Sequence, residues 1–383
     1  MRYLVGFRLC VCCFLVCMAM SLQAQENNKA EEPEEQTILK IIYSVDGYWQ
    51  AVNPLHEEAS LNNSVFHAGN MEAYFLTRND AFRRYSEAWA EKNGWKEAKS
   101  DDKVKWRYDN DGTDNSVLSG DWQACFGTYA DLYAVNPDEK KIARIKDVLE
   151  YQMKSPVYEY WRNARDLYTA MPVMSKLYKI TGEKSYINKL QQYSAYTDSL
   201  LYDPKARLYY KDSGSVYPKH KSISGKKDFC SLDNGWAFAG FAKLLSDLSK
   251  KDSCRNDYLN RFRNMADAIT GSQHPDGYWN YSMLDSLQVE GPEIAGTALL
   301  TYGLLWGINN DVLNAKIYLP AALKGWGFLV SVALQANGQI GYIRPLGNPN
   351  QVVDEKSTAG YGVGAFLLAA CEAFRFFQDV NND

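Results

Sequence analysis

The sequence is poor in the residues that metal centres and nucleophilic triads require. It has only four histidines in 383 residues, and it contains neither an HExxH motif nor a convincing GxSxG motif. Four of its eight cysteines lie within the first 17 residues, and the other four form no CxxC pair. Zinc binding and Ser–His catalysis are therefore poorly supported. We predict buried thiols rather than disulfides at the remaining cysteines, which are Cys125, Cys230, Cys254 and Cys371.

The chain also lacks a basic stripe. Its formal net charge is −4, and no cluster of lysine and arginine runs along any segment. Proteins that bind nucleic acids neutralise phosphates with such clusters, so a nucleic-acid partner is not expected.

Long apolar runs are absent after the N-terminus, so we expect no membrane span. The first run, residues 9–20, is too short to cross a bilayer. It follows Arg2 and Arg8 and leads to small residues that end at Ala24, which is typical of a secretory signal peptide. We therefore expect an exported protein, periplasmic or extracellular. A lipoprotein anchored through Cys17 is the less favoured alternative, because Val16 is bulky for such a site.

Three segments follow from these observations. Residues 1–24 are interpreted as the signal peptide, and the acid-rich residues 25–36 as a disordered leader. Residues 37–383 then form a single domain. That domain is rich in aromatic residues, with 27 tyrosines and 10 tryptophans in the whole chain. Such rings can stack on sugars or fill a helical core, and composition does not separate the two uses.

A loose unit recurs along the domain: an aromatic residue, a short turn and a helical stretch. It is clearest at residues 74–93, 133–153 and 178–200, and it returns less sharply at 244–269 and 306–330. Units of this length predict about six helical hairpins. Closing six hairpins into a ring removes the polar caps that an open array needs. We therefore predict an all-α toroid of about twelve helices, with an open solenoid as the alternative and short strands near residues 207–211 and 339–344.

Candidate functional residues lie in segments just before the predicted helices. Asp166 and Asp212 are the carboxylate pair that we expect to perform acid/base chemistry on a sugar, although Asp121 and Asp166 could also be helix N-caps. The glycines at residues 360–364 indicate close helix packing, because no Lys-Ser/Thr follows them to complete a phosphate loop. The residues predicted to bind substrate are His67, Asp121, Trp122, Trp161, Arg165, Lys211, Asn234, Trp236, Trp279 and Arg344.

Seven segments, in this order, resemble the unsaturated rhamnogalacturonyl and glucuronyl hydrolases. They are residues 121–143, 164–188, 207–213, 233–245, 273–285, 296–310 and 360–369. The resemblance implies an (α/α)6 barrel that removes a terminal 4,5-unsaturated uronic acid from oligosaccharides made by lyases. It implies hydration of the enol-ether double bond, with no metal or organic cofactor. It also implies that Asp212 is the acid/base and Asp166 its partner.

One loop departs from that family's pattern. Residues 230–236 read CSLDNGW, whereas members of the family usually have WSRGNGW. Leu232 thus replaces an arginine suited to the substrate's carboxylate, and Asp233 adds a negative charge. Arg165, Lys211 or Arg344 is expected to supply the lost positive charge. Two alternatives stay open: another α/α-barrel glycosidase or polysaccharide lyase, and a non-catalytic sugar-binding protein.

The proposed hydration requires a protonated carboxylic acid. An ordinary aspartate, with a pKa of about 3.9, is ionised near neutral pH. Tyr209 and Tyr210 are adjacent to Asp212 in sequence, and burial among rings near a second carboxylate raises a carboxyl pKa. We therefore predict that Asp212 is the protonated acid and Asp166 the ionised partner.

Overall fold

The computed structural model describes residues 34–53, 58–109 and 112–382. Twelve helices of 11 or more residues lie in these ranges, and two four-residue helices, α4 and α7, directly precede α5 and α8. The helices are α1 (Glu34–Val52), α2 (Leu61–Thr77), α3 (Asp80–Lys92), α4 (Gly120–Gln123), α5 (Cys125–Val135), α6 (Lys140–Lys154), α7 (Asp166–Thr169), α8 (Met171–Thr181), α9 (Lys184–Leu201), α10 (Ser231–Asp247), α11 (Arg255–Gly271), α12 (Ile294–Asn309), α13 (Ala315–Phe328) and α14 (Gly360–Asn382). The strands β1 (Tyr202–Asp203) and β2 (Leu208–Tyr209) form a small antiparallel hairpin.

Six of the long helices form a closed inner ring. Each of α2, α5, α8, α10, α12 and α14 contacts the next, and α14 returns to contact α2. The other six pack outside them: α3 on α2, α6 on α5, α9 on α8, α11 on α10, α13 on α12 and α1 on α14. A helix inside such a ring is apolar all round, and every residue of α12 from Ile294 to Ile308 is buried. The predicted (α/α)6 barrel is confirmed, and the open solenoid is excluded.

The ring closes where α2 and α14 approach each other at glycines. A Cβ atom added to Gly364 would lie 2.1 Å from the carbonyl oxygen of Val65. A Cβ added to Gly69 would lie 2.5 Å from the carbonyl oxygen of Gly364. Both distances are shorter than van der Waals contact, so the two backbones can meet this closely only without side chains. Close helix packing, predicted for the glycines at residues 360–364, is thus confirmed at Gly364.

Short turns join most inner helices to their outer partners. The Asn79 side chain accepts a hydrogen bond from Ala81 N at 3.0 Å and caps α3, and Asn314 caps α13 in the same way through Lys316 N. Gly182 ends α8 with φ +75°, a left-handed conformation that glycine adopts without strain. The recurring turns of the sequence are thus the inner-to-outer connections.

Long connections lie at the opposite end of the barrel, where each outer helix returns to the next inner one. They span residues 93–119, 155–165, 202–230, 272–293 and 329–359. Because helix direction alternates, all five meet around the N-terminal ends of the inner helices. Loops carried on a rigid scaffold are the usual place for binding residues, so we expect the functional site at this end of the barrel.

Three further sequence predictions concern the N-terminal segments, membrane-spanning helices and the cysteines. The proposed signal peptide, residues 1–24, lies outside the described residues, and α1 already begins at Glu34 within the proposed leader. Helix α14 is long and apolar enough to span a bilayer by composition, contrary to expectation, but 83% of that stretch, Gly360–Asp379, is buried in the barrel. The cysteines Cys125, Cys230, Cys254 and Cys371 are free and buried, as predicted.

Candidate functional site

A cleft with two compartments opens at the long-loop end of the barrel. The wide compartment has a volume of about 420 Å³ and the narrow one about 80 Å³. The wide compartment is lined by Ser60, Leu61, Asn62, Asp121 and Trp122. The narrow compartment is lined by Cys230, Leu232, Asp233, Tyr281, Glu293, Arg344, Pro345, Pro349 and Tyr361. Both are lined by Arg165, Lys211, Leu346 and Gly347, so they form one continuous cleft.

Asp166, at the start of α7, lines neither compartment itself but directly follows Arg165, which lines both. It is 3% exposed, and its Oδ2 accepts hydrogen bonds from the Tyr108 hydroxyl at 2.6 Å and from Asn163 N at 3.0 Å. Its pKa is raised to about 6, chiefly by burial; the Tyr108 hydrogen bond lowers the pKa and the nearby Asp121 carboxyl group raises it. Asp166 is therefore a carboxyl group that is partly protonated near neutral pH.

Gly120 makes room for that carboxyl group. A Cβ atom at this position would lie 2.3 Å from Asp166 Oδ1 and 2.7 Å from the Thr169 hydroxyl. Gly120 directly precedes Asp121, so the missing side chain lets α4 and α7 bring the two carboxylates together. Gly120 was not among the residues predicted for the site.

Asp121 forms the wall of the wide compartment together with Arg165. The guanidinium group of Arg165 donates to both Asp121 oxygens, from Nε at 2.6 Å and from Nη2 at 2.7 Å. Such a bidentate pair fixes the orientation of the Asp121 side chain. The site therefore has Asp121 on the cleft wall, held by Arg165, and the buried carboxyl group of Asp166, whose pKa is raised, close to it.

The surroundings predicted for Asp212 are wrong. The Tyr209 hydroxyl donates to Asp198, and the Tyr210 hydroxyl donates to Asp203 at 3.0 Å. Asp212 Oδ1 instead accepts from the backbone and side chain of Ser215, at 3.0 and 2.9 Å, and Asp212 lines neither compartment. The loop does bring Asp212 to α7, because Asn163 and Asp212 pair as an isolated bridge. The aromatic burial expected at Asp212 is found at Asp166.

Five predicted binding residues belong to the barrel wall rather than the cleft. The rings of Trp161, Trp236 and Trp279 are 1%, 0% and 0% exposed. His67 stacks on Trp89 with ring centroids 4.0 Å apart, and burial lowers the pKa of His67 to about 3. Asn234 is fully buried and binds the backbone of Tyr209 through both its amide atoms. Their aromatic or polar character thus serves packing, and Trp122 is the one predicted tryptophan that lines the cleft.

Arg344, predicted to bind substrate, lines the narrow compartment, but both of its Nη atoms already donate to the protein. Its Nη atoms donate to the carbonyl oxygens of Pro292 at 2.6 Å and Glu290 at 2.9 Å, and Nη1 lies 3.6 Å from Glu293. Arg344 is only 8% exposed. It therefore holds the loop before α12 in place.

Some cleft residues carry no signal that sequence reasoning could use. Tyr108 lies in a described stretch, residues 106–109, that has no helix or strand, yet its hydroxyl donates a hydrogen bond to Asp166. Tyr281 and Tyr361 are two of many tyrosines in the chain. Glu293 is an exception: it stands just before the apolar run of α12, so its position before a helix can be seen in the sequence.

A second cavity, of about 630 Å³, lies at the short-turn end of the barrel. Its charges are largely paired: Arg375 bridges Glu72 and Glu372, and Lys176 contacts Asp131. None of the predicted site residues lines it. Among the described residues, no group of three His, Cys, Asp or Glu side chains is arranged to hold a metal ion at either end.

Comparison with known proteins identifies related sequences and structures. Residues 39–377 match the family model described as Glycosyl Hydrolase Family 88. An unsaturated 3S-rhamnoglycuronyl hydrolase of Formosa agariphila is 32% identical over 220 residues, which are 56% of this chain and 58% of that protein. The match thus spans little more than half the length of this curated relative.

Two solved structures are similar over nearly the whole chain. A glycosyl hydrolase family 88 protein from Bacteroides vulgatus is 49% identical with a TM-score of 0.88, covering 89% of this chain and 99% of that one. A protein described as a polysaccharide lyase is 50% identical with a TM-score of 0.88, covering 90% and 98%. The two descriptions name different reactions on one barrel.

Proposed function

Because the chain belongs to glycosyl hydrolase family 88, we propose that it removes a terminal 4,5-unsaturated uronic acid from oligosaccharides by hydrating the double bond. The observation that carries this proposal is the paired aspartates at the cleft. Asp166 is buried with a pKa of about 6, and Asp121 is held in a fixed orientation by two hydrogen bonds from Arg165. A buried carboxyl group with a raised pKa, beside a second carboxyl group held in place by an arginine, suits acid/base chemistry on a sugar.

The reaction can be written with Asp166 alone exchanging protons. Its carboxylic acid donates a proton to C4, and positive charge develops at C5 and the ring oxygen. Water adds to C5 and returns a proton to the Asp166 carboxylate. The resulting hemiketal opens, and the bond to the next sugar then breaks as a hemiacetal. Asp166 begins and ends protonated, so no cofactor or redox partner is required.

The remaining cleft residues have positioning roles in this proposal. Asp121, which Arg165 holds in place, can accept hydrogen bonds from sugar hydroxyls or from the attacking water. Trp122 offers an aromatic face in the wide compartment, where a sugar ring can stack. Tyr108 orients Asp166 through the 2.6 Å hydrogen bond.

The direction of an ultraviolet signal tests the function. Unsaturated uronides absorb through their conjugated double bond, so hydration lowers the absorbance, whereas a lyase that cuts an intact chain raises it. We expect a fall with unsaturated disaccharides from several polyuronides and no rise with the intact polysaccharides. A rise would support the lyase activity for which one similar structure is described. Binding without any change in absorbance would support a sugar-binding protein.

The pH dependence of kcat/KM follows from Asp166. Only the protonated form can donate a proton to carbon, so kcat/KM is expected to fall as pH rises above about 6. Replacing Tyr108 by Phe removes a hydrogen bond that stabilises the ionised carboxylate, so the pKa of Asp166 should rise. The descending limb should therefore move to higher pH in Tyr108→Phe. The measurement is kcat/KM from pH 4 to 9 for both proteins.

Tyr133→Phe is the matched control. Its hydroxyl contacts Glu139 at 3.3 Å in an exposed turn at the other end of the barrel. This variant should keep the wild-type profile. A descending limb that stays in place in Tyr108→Phe would mean that Asp166 does not set it.

A further inference from the structure

Three basic side chains line the cleft within the described residues: Arg165, Lys211 and Arg344. Two of them are committed to the protein itself. Arg165 pairs with Asp121 through two hydrogen bonds, and Arg344 donates to two backbone carbonyls beside Glu293. Using either for a substrate anion would leave a buried group of the protein without its partner, which is unfavourable.

Lys211 differs from both. Its side chain is exposed, and it donates no hydrogen bond and forms no ion pair with any described residue. It lies at the junction of the wide and narrow compartments, since it lines both. Its charge acts on Asp233, whose pKa is raised by burial and lowered by the charges of Arg165 and Lys211. Lys211 is thus the cation with room for a ligand.

The backbone holds Lys211 in a fixed relation to Asp166. The Lys211 carbonyl oxygen accepts a hydrogen bond from Ala164 N at 3.0 Å, and the next pair, Asn163 and Asp212, forms a bridge. Asn163 also donates to Asp166. One short stretch of chain therefore positions both the acid and the free cation.

Building on the proposed function, we propose that Lys211 binds the carboxylate of the terminal unsaturated uronic acid. That carboxylate is attached to C5 of the double bond, one atom from the C4 that receives the proton. Anchoring it on Lys211 places C4 close to Asp166. Lys211 also supplies the positive charge that Leu232 cannot. An ammonium group is a compact charge on a flexible stem, so it can follow the carboxylate as C5 becomes tetrahedral.

The test uses two substrates and four proteins. The substrates are an unsaturated uronyl disaccharide and its methyl ester, which has no negative charge. Wild-type protein should prefer the acid. Lys211→Met should lower kcat/KM for the acid roughly 10- to 100-fold, the range for a hydrogen bond to a charged group, and should barely change it for the ester. Lys211→Arg keeps the charge and should recover most of the preference.

Lys219→Met, an exposed lysine of the same loop that does not line the cleft, is the control and should retain the wild-type preference. Equal losses for acid and ester in Lys211→Met, or no loss, would overturn the proposal. If wild-type protein hydrates neither substrate, the proposed function fails, and calorimetry still decides the role of Lys211. Acid-selective binding that disappears in Lys211→Met supports it, and binding unaffected by the substitution contradicts it.

Discussion

Asp166→Asn is expected to reduce turnover of an unsaturated uronide by about 10²- to 10⁴-fold, the usual contribution of a positioned general acid. The amide has nearly the same shape and can still accept from Tyr108 and Asn163, but it cannot deliver a proton to C4. Sugar binding should survive, because Asp166 is only 3% exposed and Asp121, Arg165 and Lys211 remain. The measurements are the rate of absorbance loss and calorimetric binding of the same substrate.

The stability of this variant distinguishes a catalytic loss from misfolding. Burial raises the pKa of Asp166 from 3.8 to about 6. The stability that its protonated form provides is thus complete below pH 3.8 and is lost as pH rises through about 6. Asparagine carries no charge to desolvate, so Asp166→Asn should unfold at the wild-type temperature or higher at pH 8.

Asp212→Asn is the informative companion, because the family resemblance assigns the acid/base role to Asp212. Its carboxylate caps the turn at Ser215, so we expect a much smaller loss of turnover from this variant. If instead Asp212→Asn abolishes turnover and Asp166→Asn retains it, the proton donor is Asp212 and our assignment is wrong.

Gly364→Ala should destabilise the barrel by about 3 kcal/mol, at the upper end of the usual range for overpacking. The new methyl group would meet the Val65 carbonyl oxygen at 2.1 Å and its carbonyl carbon at 2.4 Å. Both are backbone atoms that cannot rotate away, so α2 and α14 must separate. Chemical denaturation should show a lower midpoint than that of the wild type.

Gly47→Ala provides the contrast. Gly47 lies within α1, and a Cβ atom there has nothing within 4 Å. Alanine favours a helix over glycine, so this variant should gain about 0.5–1 kcal/mol. Wild-type stability in Gly364→Ala would show that the two inner helices do not meet as closely as described.

The fold could be predicted from sequence because its signals are local and repeated. Asn79, Gly182 and Asn314 each end or begin a helix through contacts within a few residues, and the same pattern recurs around the ring. Once hairpins of similar length repeat, closure follows from the need to bury apolar faces. The two-residue pairing of β1 and β2 falls near the predicted strand at residues 207–211 for the same reason.

The site was harder to predict because the sequence does not show whether a side chain points into the cleft or into the barrel wall. Trp122 and Trp161 both stand near helix starts, but only Trp122 reaches the cleft, while Trp161 packs against Tyr193. Asp166 and Asp212 both lie in or beside the loops that precede inner helices. The tyrosines next to Asp212 in sequence suggested that Asp212 is the buried carboxyl group, whereas the structure buries Asp166. The partner of Asp166, Tyr108, is 58 residues away and comes from an irregular loop.

The contact between α2 and α14 also determines when the barrel can be completed. These helices are about 300 residues apart in sequence, and α14 fills the gap between α2 and α12. While the chain emerges in order, the flanks of α2 and α12 that α14 later covers stay exposed to water. Contacts of such long sequence separation form slowly, and the exposed flanks favour aggregation until they do. Nascent chains that lack the last helix should therefore be strong clients for chaperones that shield apolar surfaces.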